Sequence, residues 1–312
     1  MIAKPLSRTL AALTVAAAAA LFSACSSAAT TSTTPVISVP SIFTTLDGPG
    51  GSPTTFNGLS NTNTIVGFTT NNGINSNFTR SSSGTFTALN LGDPAASANA
   101  VNSAGTVVGV ANGNAFVLSG GKQTTLTPPG SSASVAFGIN DLGTIVGQYT
   151  SGATSPGFVY SNGTFTTINV PTAIQVFVQG INNNGLAIGF YSPDGTHQHG
   201  FTYNTKNQQL TLLPDPSTSR ITTANPLVLT QFLGLNDYNE AVGYYQTQDG
   251  SQYGFVFNLA TNVYSFVDDP NAAPVKGVQI TQITGVSNTA QATGFFIDAN
   301  GVQHGFFANP AN

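Results

Sequence analysis

The chain has 312 residues, and charged side chains make up 6% of them, against the roughly 25% usual in soluble globular proteins. Seven Lys and Arg face eleven Asp and Glu, for a formal charge of −4; that leaves no basic footprint for a nucleic acid backbone, so no nucleic acid partner is expected. A single Cys excludes an intrachain disulfide, and 40% hydrophobic residues with 34 Gly and 21 Phe suffice for a core, which excludes disorder driven by charge.

Lys4 and Arg8 precede an apolar run from Leu10 to Phe22, the length of a secretory core and too short to span a bilayer as a helix. Residues 1–24 therefore read as a signal peptide. The run ends in Leu21, Phe22, Ser23, Ala24 and Cys25. These residues resemble the signal of bacterial lipoproteins, in which the Cys is lipidated and becomes the new N-terminus. The resemblance implies lipidation at Cys25 and a membrane partner reached through that lipid. Ser26 next to it resembles lipoproteins sent to the outer membrane or cell surface. The alternative is cleavage near Ala28 or Ala29, which leaves a freely secreted protein. Without Lys4 and Arg8, five basic side chains remain against eleven acidic ones, a charge near −6. Residues 25–40, rich in Ser, Thr, Ala and Pro, bury too little to offset their ordering entropy and read as a tether.

From residue 41 to 309 one pattern recurs. Gly138-Ile139-Asn140, Gly180-Ile181-Asn182 and Gly234-Leu235-Asn236 have looser copies at Gly58-Leu59-Ser60, Ala100-Val101-Asn102 and Gly285-Val286-Ser287. Nine residues after each start stands a Gly: Gly67, Gly109, Gly147, Gly189, Gly243 and Gly294. An aromatic mark follows at Phe78, Phe116, Phe158, Phe201, Phe255 and Phe306, and then a Thr-rich alternating run such as Phe165 to Ile168. Period-two alternation bounded by Gly, Asn, Asp or Pro predicts four short strands per unit. Spacings of 42, 38, 42, 54 and 51 residues between starts fall in the range of propeller blades.

The sixth unit lacks its Thr-rich run, while an orphan run of that type, Ile42 to Leu46, precedes the first unit. Together they make one blade, and a ring gains closure from that split where an open stack does not. The expected fold is all-β: a six-bladed β-propeller of four-stranded blades, with the N-terminal strand completing the C-terminal blade. A parallel β-helix is the alternative. Gly inside strands is expected to let neighbouring sheets pack closely, with Phe filling the wider gaps.

The Gly-Ile-Asn, Val-Gly and Phe-Thr-Thr-Ile marks, with His199-Gly200-Phe201 and His304-Gly305-Phe306, resemble the HAF family of extracellular repeat proteins over about residues 41 to 309. The resemblance implies an exported bacterial repeat protein and carries no established activity.

Candidate chemistry is sparse. His197, His199 and His304 are three potential zinc ligands, but Tyr253 fills the equivalent slot in another unit, so no metal is expected; no cofactor motif stands out either. Asp47, Asp93, Asp215, Asp268 and Asp269 fall in the links that follow the Thr-rich runs, beside Pro49, Pro94, Pro214, Pro216 and Pro270. All such links emerge on one face of a propeller. Carboxylates gathered there can coordinate calcium or contact a glycan, although Asp and Pro are also ordinary turn formers. Asp141 and Asp237, in the turns after the Asn marks, belong to the opposite face and read as turn residues. No nucleophile elbow or phosphate-cradling loop precedes a helix. The sequence thus points to a non-catalytic, lipid-anchored propeller at the cell envelope that binds a polysaccharide or protein. The alternatives are a carbohydrate-active hydrolase or lyase using rim carboxylates, and a purely structural envelope protein.

Overall fold

The computed structural model describes residues 39–51 and 53–311; the expected signal peptide, Cys25 and most of the expected tether lie outside them. Strand β1 (Pro40–Leu46) starts one residue before the expected repeat boundary. Four-stranded antiparallel sheets of consecutive strands follow. Blade one holds β2 (Thr54–Leu59), β3 (Ile65–Asn71), β4 (Ile74–Arg80) and β5 (Phe86–Ala88). Blade two holds β6 (Ser97–Val101), β7 (Val107–Ala111), β8 (Asn114–Ser119) and β9 (Lys122–Leu126). Blade three holds β10 (Ala133–Ile139), β11 (Ile145–Thr150), β12 (Gly157–Ser161) and β13 (Thr164–Ile168). Blade four holds β14 (Gln175–Ile181), β15 (Leu186–Ser192), β16 (His199–Asn204) and β17 (Gln209–Leu212). Blade five holds β18 (Leu227–Leu235), β19 (Glu240–Thr247), β20 (Gln252–Asn258) and β21 (Val263–Val267). The sixth sheet contains β22 (Thr281–Val286), β23 (Ala292–Ile297) and β24 (Gln303–Pro310), and β1 hydrogen-bonds along β24, with Phe43 opposite Ala308 and Leu46 opposite Gly305. This is a six-bladed β-propeller; the stacked parallel coils of a β-helix are absent among the described residues.

The three sequence marks prove to be one device repeated across each sheet. Gly67, Gly109, Gly147, Gly189, Gly243 and Gly294 each lie directly opposite the repeat Phe of the third strand. On their other side the innermost strand bulges by one residue: Asn57, Asn99, Phe137, Gln179, Leu233 and Thr284 are each left out of the register. A bulge bends the strand and turns its carbonyls out of line. A Cβ on Gly147 would land on the Val135 carbonyl oxygen and 2.7 Å from the Phe158 ring. These second-strand glycines therefore accommodate their own blade's bulge, where the sequence pattern suggested close packing between sheets.

The glycines that do serve sheet-to-sheet contact are on the innermost strands. A Cβ on Gly138 would be 2.5 Å from Gln179 O in the next blade, and one on Gly234 would be 3.2 Å from Gly285 Cα. Around the ring the innermost strands nearly touch at this level. The apolar core accordingly sits between neighbouring blades: Val242, Val256 and Val267 pack with Ile283 and Phe306, and Val108 and Ala115 with Ala136 and Phe158.

Glu240, the sole glutamate of the chain, begins β19 and is 7% exposed. Burial pushes its carboxyl above the usual range, against the pull of the Asn236 amide that donates to Oε2 at 2.7 Å. Its repeat counterpart in blade six is Gln291, whose side chain likewise accepts from the turn residue, Ser287. A raised carboxyl pKa means that folding favours the protonated acid, so stability falls as pH rises through and above the unfolded value near 4. Glu240→Gln keeps the acceptor and removes the buried charge. It is expected to stabilise the fold by about 1 kcal/mol at pH 7, with the gain vanishing below about pH 4; urea titrations at the two pH values check it, and an equal gain at both would contradict it.

Candidate functional site

The link carboxylates singled out by the sequence do not form one cluster. Asp93 holds its own turn: its two oxygens accept the Ala95 N–H at 2.9 Å and the Asn112 N–H at 2.6 Å, with the Asn112 bond the stronger pull that lowers its pKa. Asp215 accepts from Thr230 Oγ1 and lies 2.9 Å from His199 Nδ1, and Asp47 lies at the same distance from His304 Nδ1. The two pairs repeat one arrangement, a His on the third strand beside the Asp that follows the fourth. His197 lies outside β16 and pairs with Asp194 at 2.7 Å, so the three histidines have separate partners. Among the described residues no group of three or more His, Cys, Asp or Glu side chains is placed to hold a metal ion.

Asp268 and Asp269 are drawn into the protein. The Arg220 guanidinium reaches from the link between β17 and β18, packs 4.4 Å from the Tyr253 ring centre and contacts Asp268 Oδ2 at 2.8 Å. Burial nevertheless pushes the Asp268 carboxyl up, and it does the same to Asp269, which accepts the Asn271 N–H at 2.8 Å. The two longest links thus fasten each other down. They do not open a carboxylate-lined cleft.

The feature that gathers side chains from every blade is the axial channel, whose wall the six innermost strands build in three levels. At the end formed by the turns between first and second strands, Asn102, Asn140, Asn182 and Asn236 act twice. Each Oδ1 accepts two N–H groups of its own turn, as Asn182 does from Asn184 and Leu186, which is why Asn suits this slot. Each Nδ2 donates to the carbonyl of the corresponding residue in the next blade, at 2.9–3.2 Å. Because Asn182 is buried with its hydrogen bonds made, Asn182→Ala is expected to cost about 2–3 kcal/mol. Asn182→Ser should cost less, since Ser60 fills the same slot and accepts the Thr62 and Thr64 N–H groups; equal losses in chemical denaturation would mean that the stitch to the next blade carries the whole effect and the turn acceptor none.

The following residues form a second ring, in which each side-chain oxygen accepts a backbone N–H from the preceding blade. Ser103 N donates to Asp141, Asp141 N to Asn183, Asn183 N to Asp237, Asp237 N to Asn288 and Asn288 N to Asn61. Their side chains also bond to one another around the axis. Asn61 and Asn183 amides donate to Asp141 Oδ2 at 3.0 and 3.1 Å, and Asn183 and Asn288 amides to Asp237 Oδ2 at 2.9 and 2.7 Å. Burial opposes ionisation of Asp141, but the Ser103 N–H and the two amides outweigh it and hold the carboxyl below its usual range. Asp141 and Asp237, read from sequence as turn formers, are the acceptors around which this end of the channel closes.

Above this network Leu59, Val101, Ile139, Ile181, Leu235 and Val286 face inward as an aliphatic belt. Beyond the belt, toward the face that carries the links, the channel widens into a cavity open to solvent. Its wall is the six bulge residues, joined by Gln231, Gln282 and Phe295. No ionisable side chain lines it. Glutamines gather beside it: the Gln231 amide donates to Gln198 and the Gln282 amide to Gln252. On the other side Phe177 stands between Phe137, at 6.3 Å, and Phe190, which it stacks at 4.5 Å. Sequence reasoning missed this wall. The available signal was the unlike residue just before the repeated Gly: Asn57, Asn99, Phe137, Gln179, Leu233 and Thr284.

No protein-family model matches the chain, and no curated protein matches it. Among solved structures it is similar to virginiamycin B lyase from Staphylococcus aureus, with 11% identity, 85% of this chain and 98% of that one covered, and a TM-score of 0.45. It is similar to TolB from Acinetobacter baumannii at 9% identity, covering 83% of this chain and 63% of that one, with a TM-score of 0.47. The β-propeller domain of the trilobed protease from Pyrococcus furiosus gives 9% identity, coverage of 78% and 75%, and a TM-score of 0.42.

Proposed function

We propose that this chain is an exported propeller, anchored to the envelope through a lipid on Cys25, that binds a polysaccharide or a protein in the wide end of its axial channel. The supporting observation is the contrast between the two sets of side chains on that face. The rim carboxylates Asp47, Asp93, Asp215 and Asp268 are each engaged with a partner inside the chain. The carboxylates are also scattered, whereas the cavity wall converges amides and phenyl rings from six blades with no charge among them, its Asn57, Asn99, Gln231 and Gln282 amides held in place by intrachain bonds. Concave, preformed sites with a few convergent polar groups are the usual form of a ligand site. Hydrolysis of a glycan calls for two carboxylates facing each other across the ligand, and this wall supplies none, which favours binding. The export and anchor readings rest on the Lys4, Arg8 and Leu10 to Phe22 pattern and on the sole Cys.

Binding to polysaccharide and protein fractions of the native envelope tests the site. Phe137→Ala with Gln231→Ala should weaken capture at least tenfold, while Asp215→Asn and Asp93→Asn leave it unchanged. The reverse pattern would return the site to the rim. Cys25→Ser should move the protein from the membrane to the soluble fraction; unchanged fractionation would remove the anchor from the reading.

A further inference from the structure

We infer that the channel receives the end of a neutral glycan chain, inserted along the axis, and does not hold a chain by its middle. The inference rests on the wide end being the binding site and specifies its ligand. Two features carry it: the chemistry of the wall and the closed far end.

The wall is matched to an uncharged polyol. Asn57, Asn99, Gln179, Gln231 and Gln282 carry primary amides, groups that pair with hydroxyls; Asn57, Asn99, Gln231 and Gln282 also donate within the chain, to Ala98, Ala136, Gln198 and Gln252, which fixes their orientation and leaves carbonyl or second N–H capacity for a ligand. Phe137 and Phe295 add flat apolar surface of the kind on which the C–H face of a sugar ring packs. A uronate, sulfate or phosphate would enter this wall with no cation to meet it, and a partly desolvated charge without a counter-charge is disfavoured. Neutral sugars are the class that the wall fits. An apolar peptide would cover the remaining amide donors and carbonyls of the wall without pairing them, which is costly.

The direction of entry follows from the channel's depth profile. The innermost strands approach to backbone contact at the Gly level, as between Gly234 and Gly285 or Gly180 and Gly234. Just beyond it the aliphatic belt of Leu59, Val101, Ile139, Ile181, Leu235 and Val286 narrows the passage. Farther still, Asn61, Asp141, Asn183, Asp237 and Asn288 are joined around the axis by hydrogen bonds of 2.7–3.1 Å, which draw their side chains together over the far end. The distance from the bulge residues to these side chains is four residues of strand, about 13 Å, so depth is available for only the last one or two sugars. A polymer cannot thread through, and its interior cannot reach the bulge residues without first presenting an end.

The test uses the residues from Ser26 onward, free of lipid, with linear neutral oligosaccharides of two to eight residues, their cyclic counterparts of the same linkage, and linear acidic oligosaccharides of the same lengths. Binding is followed by calorimetry and by array. A linear neutral ligand should bind, its affinity should plateau by about three residues, and the cyclic form should bind at least tenfold more weakly. Phe137→Ala and Gln179→Ala, at half-exposed positions and checked by thermal melts, should each lose most of that binding. Equal affinity for linear and cyclic forms, or affinity rising through eight residues, would overturn end-on entry while sensitivity to Phe137→Ala kept the site. Preference for acidic glycans would overturn the neutral class. Absence of binding to every glycan, together with Phe137-dependent capture of an envelope protein, would overturn the glycan inference and leave the site standing; capture insensitive to Phe137→Ala would remove both.

Discussion

Deleting Ile42–Leu46 is expected to replace one sharp unfolding transition with a broad one and to lower its midpoint by about 10 °C or more. The expectation follows from what β1 contributes. It pairs with β24 from Ile42 opposite Asn309 to Leu46 opposite Gly305, completing the edge of the sixth sheet. Phe43 packs edge-on against the buried Phe306 at 5.2 Å. Just past the strand, Asp47 meets His304 at 2.9 Å, and the Gly48 N–H donates to Thr54 Oγ1 at the start of the first blade. Loss of these contacts amounts to about 3–5 kcal/mol by the usual cost of stripping an edge strand and a buried aromatic neighbour. It also leaves the sixth blade with three strands and weakens its seam with the first, which Gln303, Thr284 and Asn288 still bridge, so the seam becomes the place where unfolding starts by pieces. Adding a synthetic peptide of residues 40–47 in trans should restore part of the midpoint in a concentration-dependent way. A deletion variant that melts as sharply and as high as the parent would mean that contacts between blades hold the ring and that the N-terminal strand merely decorates it.

The sequence made the architecture readable because each blade repeats the same steric constraint. A second-strand Gly opposite a third-strand Phe recurs at a fixed offset, since a bulge on one side and a ring on the other leave no room for a Cβ. Turn residues were equally legible: Asn140 and Asn182 hold their own turns through Oδ1 whatever their neighbours do. The site was hidden for the opposite reason. Which side chains line the channel depends on which face of the innermost strands meets the axis, and that is set by the closure of the ring between distant blades, which the period-two pattern of one strand does not carry. Phe137 and Ile139 alternate regularly with buried Ala136 and Gly138, and both line the channel, but alternation alone does not say which face of the strand meets the axis. Asp141 was read as a turn former because its second role, accepting from Ser103, Asn61 and Asn183, joins residues 38 to 80 positions apart. The link carboxylates stood out in a chain so poor in charge, but scarcity made them conspicuous without making them convergent. Asp215 and Asp47 found a His, and Asp268 found Arg220.

Gly147→Ala, like the same change at the equivalent glycines of the other blades, is expected to destabilise the protein by about 3 kcal/mol or more. The added Cβ would fall on the Val135 carbonyl oxygen of the same blade and 2.7 Å from two atoms of the Phe158 ring. The carbonyl belongs to the bulged strand and the ring is fully buried, so neither side can yield without undoing the bulge that sets the channel wall. Gly138→Ala makes a useful contrast. Its Cβ would sit 2.5 Å from Gln179 O, an approach between two blades that can shift as units. Blade two already carries Ala100 at the equivalent position, whereas all six blades keep Gly at the Gly147 position. Gly138→Ala should therefore cost about 1–2 kcal/mol. Since the bulge residue Phe137 lies on the cavity wall, Gly147→Ala should also weaken ligand capture at temperatures where the protein remains folded, and Gly138→Ala should not. Chemical denaturation paired with the binding assay distinguishes the two: equal losses of stability, or capture unaffected in folded Gly147→Ala, would break the proposed dependence of the site on the bulge.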